Sequence, residues 1–276
     1  MRAGARALGR GELAKYHALG NDYLVLDARR FGPALTPARV RALCDRHRGL
    51  GSDGILALVP SRRADFGVRI WNTDGSRAEK SGNGLRILAR FLHDHGYTRA
   101  RGFAIETPGG VAEAELLPVR GAVRAVRVSM GRARFAHRAR LRVAGRALAV
   151  TVLSVGNPHC VIFVRRLRAA DLRAWGPLVE RHRAFPRRTN VQLARVRSRR
   201  AIDALVWERG AGETAASGSS ACAVAAAARR AGLVDARVSV RMPGGTLHVE
   251  IAPDFSLRLT GPATPVYRAL VYDRRP

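Results

Sequence analysis

The chain has 276 residues, 47% of them hydrophobic, with 49 basic side chains against 21 acidic ones and a formal charge of +28. That length buries a large core in one domain or two of ordinary size, no apolar run approaches the roughly 20 residues of a membrane span, and three cysteines without metal or disulfide spacing fit a reducing cytoplasm. The charge invites a nucleic-acid reading, but the arginines are spread along the chain, aromatics make up 6%, and lysine occurs only at Lys15 and Lys80, so the field is expected to favour anionic partners without making nucleic acid the main ligand.

The first ten residues, Met1 to Arg10, are basic and lack an apolar signal core, and they read as a ragged extension. The stretch His17-Ala-Leu-Gly20-Asn21-Asp22-Tyr23-Leu-Val-Leu26 then sets Gly-Asn ahead of a strand-like run. Ile70-Trp71-Asn72-Thr73-Asp74-Gly75 follows. Lys80-Ser81-Gly82-Asn83-Gly84 heads an amphipathic helix through Leu92, with Leu85, Leu88, Ala89 and Leu92 on one face. Ala122 to Val128 alternates as a strand does, and so does Thr246 to Ile251.

The second half restates these signals. Gly156-Asn157-Pro158-His159 lies 136 positions after Gly20-Asn21, and Trp207-Glu208-Arg209-Gly210 lies 136 after Trp71. Ser217-Gly218-Ser219-Ser220, ahead of an alanine-rich run, lies 136 after Ser81. Thr107-Pro108-Gly109-Gly110 returns at an offset of 135 as Met242-Pro243-Gly244-Gly245. Such a period is too long for a solenoid. It implies two homologous halves, each mixing strands with one principal glycine-headed helix: residues 1–128, expected to be joined by 264–276, and residues 129–263.

Small flexible residues ahead of strong helix formers make a helix N-terminus, whose free N–H groups and dipole suit a carboxylate or phosphate. Two such termini facing one another would bind a small acid on Gly82-Asn83 and Gly218-Ser219. Ser81 and Ser217 would then stand on opposite faces of it, an arrangement suited to removing a proton from one face and delivering one to the other. Asn21, Asn72, Asn157, Asn190, Glu208 and Arg209 are polar candidates for holding a second amino-acid-like group, and His159 is a candidate site residue. Each also has a plainer reading: the serines as N-caps, the asparagines as turn residues, Glu208 and Arg209 as a surface pair, His159 as a core histidine, Cys160 and Cys222 as small hydrophobes. No Gly-x-Ser-x-Gly elbow, Walker loop or metal spacing occurs. Lys15 and Lys80 alone are available for a pyridoxal Schiff base. The residues point to a site without cofactor or metal.

After its first dozen residues the chain resembles the diaminopimelate epimerase family, on His17-Ala-Leu-Gly-Asn-Asp22, Asn72-Thr-Asp-Gly-Ser76, Ser81-Gly-Asn-Gly84, Gly156-Asn-Pro-His-Cys160, Thr189-Asn190-Val191 and Trp207-Glu-Arg-Gly-Ala-Gly-Glu-Thr214. The resemblance implies an α/β (α+β) fold of two pseudo-symmetric halves, each a mixed barrel-like sheet around a central helix. It implies a cofactor-independent isomerase of the lysine and peptidoglycan precursor pathway, cytoplasmic, acting on an amino-acid substrate, with a homodimer as the expected assembly. Asn72, Asn157, Asn190, Glu208 and Arg209 would hold the distal end of diaminopimelate, with Asn21 nearby. The reacting carboxylate would sit on Gly82-Asn83 and Gly218-Ser219, and His159 and Glu208 would assist the reacting pair.

That pair departs from the family. Two cysteines, one thiolate and one thiol, stand there in the family where this chain has Ser81 and Ser217. A thiol ionises near pH 8.5 and can be tuned to either role, whereas a serine hydroxyl needs an activating base. The family's usual glutamine in the segment Gly51-Ser-Asp-Gly54 is likewise replaced, by Gly54. Three readings follow: a natural subgroup that works through serines or a bound water, an amino-acid-binding homologue that is catalytically silent or performs another reaction, and an engineered double Cys→Ser form.

Overall fold

The computed structural model describes residues 6–32, 34–136 and 139–272, which divide into two compact units. One comprises the described residues up to Val128 together with those from Gly261 onward; the other is Ser129–Thr260.

The first unit is a mixed sheet. Strand Glu12–Ala18 lies between Thr264–Leu270 and Asn21–Asp27, antiparallel to both. Asn21–Asp27 pairs in parallel with Gly54–Val59, which pairs antiparallel with Phe66–Asn72. Phe66–Asn72 runs parallel to Gly102–Thr107, and the antiparallel strands Gly110–Val119 and Ala122–Arg132 follow. Helix α1 (Pro37–Cys44), capped by Thr36, covers one face, where Val40, Leu43 and Cys44 meet Leu13, Leu24, Leu26 and Ile55. Helix α2 (Gly82–Asp94) packs on the strands beginning at Glu12, Asn21, Gly54, Gly110 and Thr264, so that the sheet curls around it.

This embrace changes the character expected of α2. Instead of one apolar face, the helix buries Gly82 to Ala89 without interruption, then Phe91 and Leu92. Arg86, which a solvent-facing stripe would leave in water, has no exposed surface.

The second unit repeats the order of strands and helices. Ala139–Val143, Arg146–Ser154 and Pro158–Phe163 form an antiparallel run, and Pro158–Phe163 then pairs in parallel with Asn190–Ser198. Ala201–Glu208 follows antiparallel, Arg237–Met242 parallel to it, and Gly245–Ile251 and Ser256–Gly261 close the series. Helix α3 (Ala169–Glu180) corresponds to α1, and α4 (Gly218–Arg230) corresponds to α2. From Ala221 to Ala228 the second central helix is wholly buried, and six of those eight residues are alanine, the best helix former and the smallest apolar side chain that still packs. Small side chains let the surrounding strands approach closely, and larger ones would overpack the site.

The parallel registers show the duplication at single-residue resolution. Leu24 pairs with Ile55 in the first sheet and Cys160 with Val191 in the second, the same step at the same offset of 136. The turns that lead into those strands also match. Leu19 and Gly20 both have positive φ, as a tight hairpin between Ala18 and Asn21 requires, and Gly156 has φ 101° at the corresponding turn.

The N-terminal stretch is less ragged than its composition suggests. Residues 1–5 lie outside the described set, but Leu8 has no exposed surface and the Gly9 N–H donates to Glu12 at 2.7 Å. An apolar residue docked against the fold holds this stretch in place, whatever the charge of its neighbours.

Candidate active site

In the first unit Ser81 is the N-cap of α2 and its Oγ accepts the Gly84 N–H at 3.0 Å. The cap leaves the N–H groups of the first turn directed at the end of the helix, where the dipole favours an anion. Asn83, buried in that turn, donates through Nδ2 to Asn21 Oδ1 at 3.0 Å, and Asn21 donates in turn to Asp53 at 2.9 Å. From beneath, the Arg86 guanidinium donates to Asn83 Oδ1 at 2.9 Å, to the Gly82 carbonyl at 3.1 Å and to the Pro262 carbonyl at 3.4 Å. The structure thus brings Asn21, Ser81, Gly82 and Asn83 into one connected group. Asn72 stands opposite Gly54 in the sheet, its Nδ2 donating to Ser76 at 2.9 Å.

Asp22, next in sequence to Asn21, is buried among cations. Lys15 and Arg46 each approach its carboxylate to 2.7 Å. Burial pushes the Asp22 pKa up, but hydrogen bonds from Arg46 and Lys15 outweigh it and hold the group below the usual aspartate value. Arg46 also reaches Asp53 at 2.8 Å, so this cluster is tied to the carboxylate that orients Asn21.

In the second unit Ser217 is the N-cap of α4, with Oγ 3.5 Å from the Ser220 N–H, and it is 5% exposed. Asn157 donates to Ser219 Oγ at 3.4 Å, the counterpart of the Asn21–Asn83 contact, and its Oδ1 lies 2.9 Å from His159 Nε2. The other ring nitrogen, Nδ1, is 2.9 Å from the Gln192 amide nitrogen, which also donates to Ser220 Oγ at 3.0 Å. An amide nitrogen can only donate, so Nδ1 is the acceptor and the His159 proton sits on Nε2. Both nitrogens are therefore engaged. Burial drives the His159 pKa down to about 3; the Gln192 hydrogen bond opposes this and the charge of Arg209 adds to it. The imidazole is neutral and locked, and no lone pair remains to take the hydroxyl proton of Ser217.

Asn190 spends its side chain on the protein. Its Nδ2 donates to the Pro158 carbonyl at 2.9 Å and its Oδ1 accepts the Arg209 N–H at 3.0 Å, which fixes the backbone on which Arg209 stands. Glu208 Oε1 accepts from Thr214 at 3.2 Å, and Arg209 donates to the Arg187 carbonyl at 3.4 Å. Asn157, His159, Ser219 and the α4 N-terminus form one connected group; Asn190, Glu208 and Arg209 form a neighbouring one along the ends of strands Asn190–Ser198 and Ala201–Glu208.

Four residues of these groups were not singled out from the sequence: Tyr23, whose hydroxyl is 3.4 Å from Ser81 Oγ, together with Asp53, Arg86 and Gln192. The repeat carries the signal for two of them. Stepping back 136 residues from His159 gives Tyr23, and stepping on 136 from Leu56, which faces α2 beside Gly84, gives Gln192. Among the described residues no group of His, Cys, Asp and Glu side chains could hold a metal ion, and no helix is long and apolar enough to cross a membrane.

A family model described as diaminopimelate epimerase matches residues 13–136 and 151–266. Diaminopimelate epimerase 2 of Nostoc sp. is 42% identical over 264 residues, spanning 91% of this chain and 92% of its own length. The diaminopimelate epimerase of Pelotomaculum thermopropionicum is 41% identical over 268 residues, covering 92% and 96%. Among solved structures, a hydroxyproline epimerase from Agrobacterium vitis superposes with a TM-score of 0.72 at 17% identity over 96% of this chain and 93% of its own, a likeness of fold.

Proposed function

The chain belongs to the diaminopimelate epimerase family, an amino-acid epimerase of the isomerase class in lysine biosynthesis, and on that premise we propose that it inverts an α-carbon of LL-diaminopimelate, or of a close analogue, to the meso form. The observation that supports this reading is the duplicated helix N-terminus. In each unit a glycine-headed turn is capped by a serine and touched by an asparagine, Asn21 at the start of strand Asn21–Asp27 and Asn157 just ahead of strand Pro158–Phe163.

In this reading the reacting carboxylate is bound by the N–H groups of Gly82-Asn83 and Gly218-Ser219. Binding the carboxylate on aligned dipoles stabilises the negative charge that spreads into it when the α-proton leaves. Ser81 and Ser217 exchange the proton on opposite faces, and Asn72, Asn157, Asn190, Glu208 and Arg209 hold the distal amino-acid end. Asn190 contributes by fixing the backbone of Arg209 and Pro158. His159 contributes as a neutral, fixed donor that orients Asn157, in place of a general base. No cofactor enters this reading, the partner is a small amino acid in the cytoplasm, and the assembly is a homodimer.

Incubation with LL-diaminopimelate in heavy water tests it. Deuterium should enter the α position and the meso isomer should accumulate; neither, at high enzyme concentration, sinks the reading. Saturable calorimetric binding without turnover would then favour a catalytically silent amino-acid-binding homologue.

A further inference from the structure

We propose that Tyr23 is a catalytic residue of the first half-site, the group that exchanges a proton with Ser81; this rests on the epimerase reading above. The starting point is what Ser81 lacks. Its Oγ already accepts the Gly84 N–H as an N-cap, and an aliphatic hydroxyl does not ionise in the working pH range, so it takes an α-proton only if its own proton has somewhere to go. The Tyr23 hydroxyl is 3.4 Å from Ser81 Oγ. Its phenolate, formed near pH 10 in model peptides and so far more accessible than a serine alkoxide, is that acceptor, which makes the rate rise with pH toward the phenol's ionisation. Catalytic hydrogen bonds in ligand-free enzymes are often long and tighten when substrate binds.

The surroundings bear on the same point. Tyr23 is 7% exposed, and one edge of its ring lies against Gly54. A Cβ placed on Gly54 would come within 2.8 Å of Tyr23 Cε1 and 2.4 Å of the Trp71 carbonyl. The bare glycine therefore leaves room for the tyrosine ring beside Ser81. In the second unit the residues at the same offset are His159, Asn190 and Ser217, and there the ring nitrogens are committed to Asn157 and Gln192.

The step balances. In the forward direction the Cα–H bond breaks, its electron pair stays on Cα and spreads into the bound carboxylate, the proton goes to Ser81 Oγ, and the Ser81 hydroxyl proton passes to the Tyr23 phenolate. Ser217 delivers a proton to the other face. A water reprotonates Ser217 as its proton leaves, and the hydroxide so formed takes the proton gained by Tyr23, so neither serine is left as an alkoxide. In the reverse direction neutral Tyr23 reprotonates Ser81 as Ser81 gives its proton to Cα.

The test is a double-mutant comparison of turnover and α-deuterium exchange in four proteins: the unmodified chain, Tyr23→Phe, Ser81→Cys, and Ser81→Cys with Tyr23→Phe. Removing the hydroxyl while keeping the ring should lower kcat by about a hundredfold with little change in KM. In the Ser81→Cys background the same change should cost under about threefold, because a thiol ionises without the phenol's help. An equal loss in both backgrounds, or no loss in either, overturns the proposal. Exchange that survives Tyr23→Phe unchanged overturns this proposal alone; absence of exchange in the unmodified chain overturns it together with the epimerase reading. A calorimetric titration with diaminopimelate then separates an amino-acid-binding homologue, which binds, from a chain with no such site, which does not.

Discussion

The Gln192 amide donates to Nδ1 of His159 at 2.9 Å, and that one bond decides which nitrogen of a fully buried imidazole carries the proton. The same amide nitrogen reaches Ser220 Oγ, so one side chain ties the histidine to the first turn of α4, while its Oε1 is buried without a partner. Gln192→Leu removes both donors and leaves Nδ1 unsatisfied, at a cost of about 1–3 kcal/mol. Gln192→Glu offers Nδ1 an acceptor in place of a donor, so the ring proton should move to Nδ1 or a second proton should bind. Urea denaturation measures the first, and the nitrogen-15 shifts of the His159 ring measure the second.

Acid should destabilise the fold in a window set by His159. Its folded pKa of about 3 lies below the ordinary 6.5, so the unfolded chain takes up the proton first. The stability tied to its neutral form is complete above pH 6.5 and is lost progressively as the pH falls from there toward 3. His95, also lowered by burial, adds to the slope. Denaturation midpoints should therefore fall between pH 7 and about pH 5, and His159→Asn should flatten that dependence without abolishing it.

Gly54→Gln adds a side chain where the backbone leaves no room for a Cβ. With the Trp71 carbonyl 2.4 Å from the new Cβ and the Tyr23 ring 2.8 Å from it, something must move, and the cost should be about 1–3 kcal/mol. The flexible side is the tyrosine, so the activity lost should follow that of Tyr23→Phe. Thermal melts and kcat measured on the same preparations check both halves of this expectation.

The contrast between what could be read from the chain and what could not follows from the range of the interactions. Gly20 with Gly156, Ser81 with Ser217, and the Trp71 and Trp207 strands are local signals of turn, cap and strand, and each recurs at a constant offset, so the two halves and their helix heads were legible. The buttresses were not. Arg86 sits on a helix among leucines and reads as the polar edge of an amphipathic stripe; only the sheet curled around α2 makes it a buried cation beneath the Gly82 turn. The Lys15–Asp22–Arg46–Asp53 cluster joins residues up to 38 apart through side chains alone, and no local pattern announces it. The contacts of Asn190 were not legible either, because its hydrogen bonds, one donated to the Pro158 carbonyl and one accepted from the Arg209 N–H, are decided by strand pairing.

The central claim is that both helix heads form a working family site in which hydroxyls stand where the family has thiols. Its most direct test is the rate of α-deuterium incorporation into LL-diaminopimelate in heavy water, compared between the unmodified chain and the Ser81→Cys/Ser217→Cys variant. The account predicts measurable exchange in the first and a rate at least about a hundredfold higher in the second. Absence of exchange in the unmodified chain would contradict it, whatever the rate in the variant.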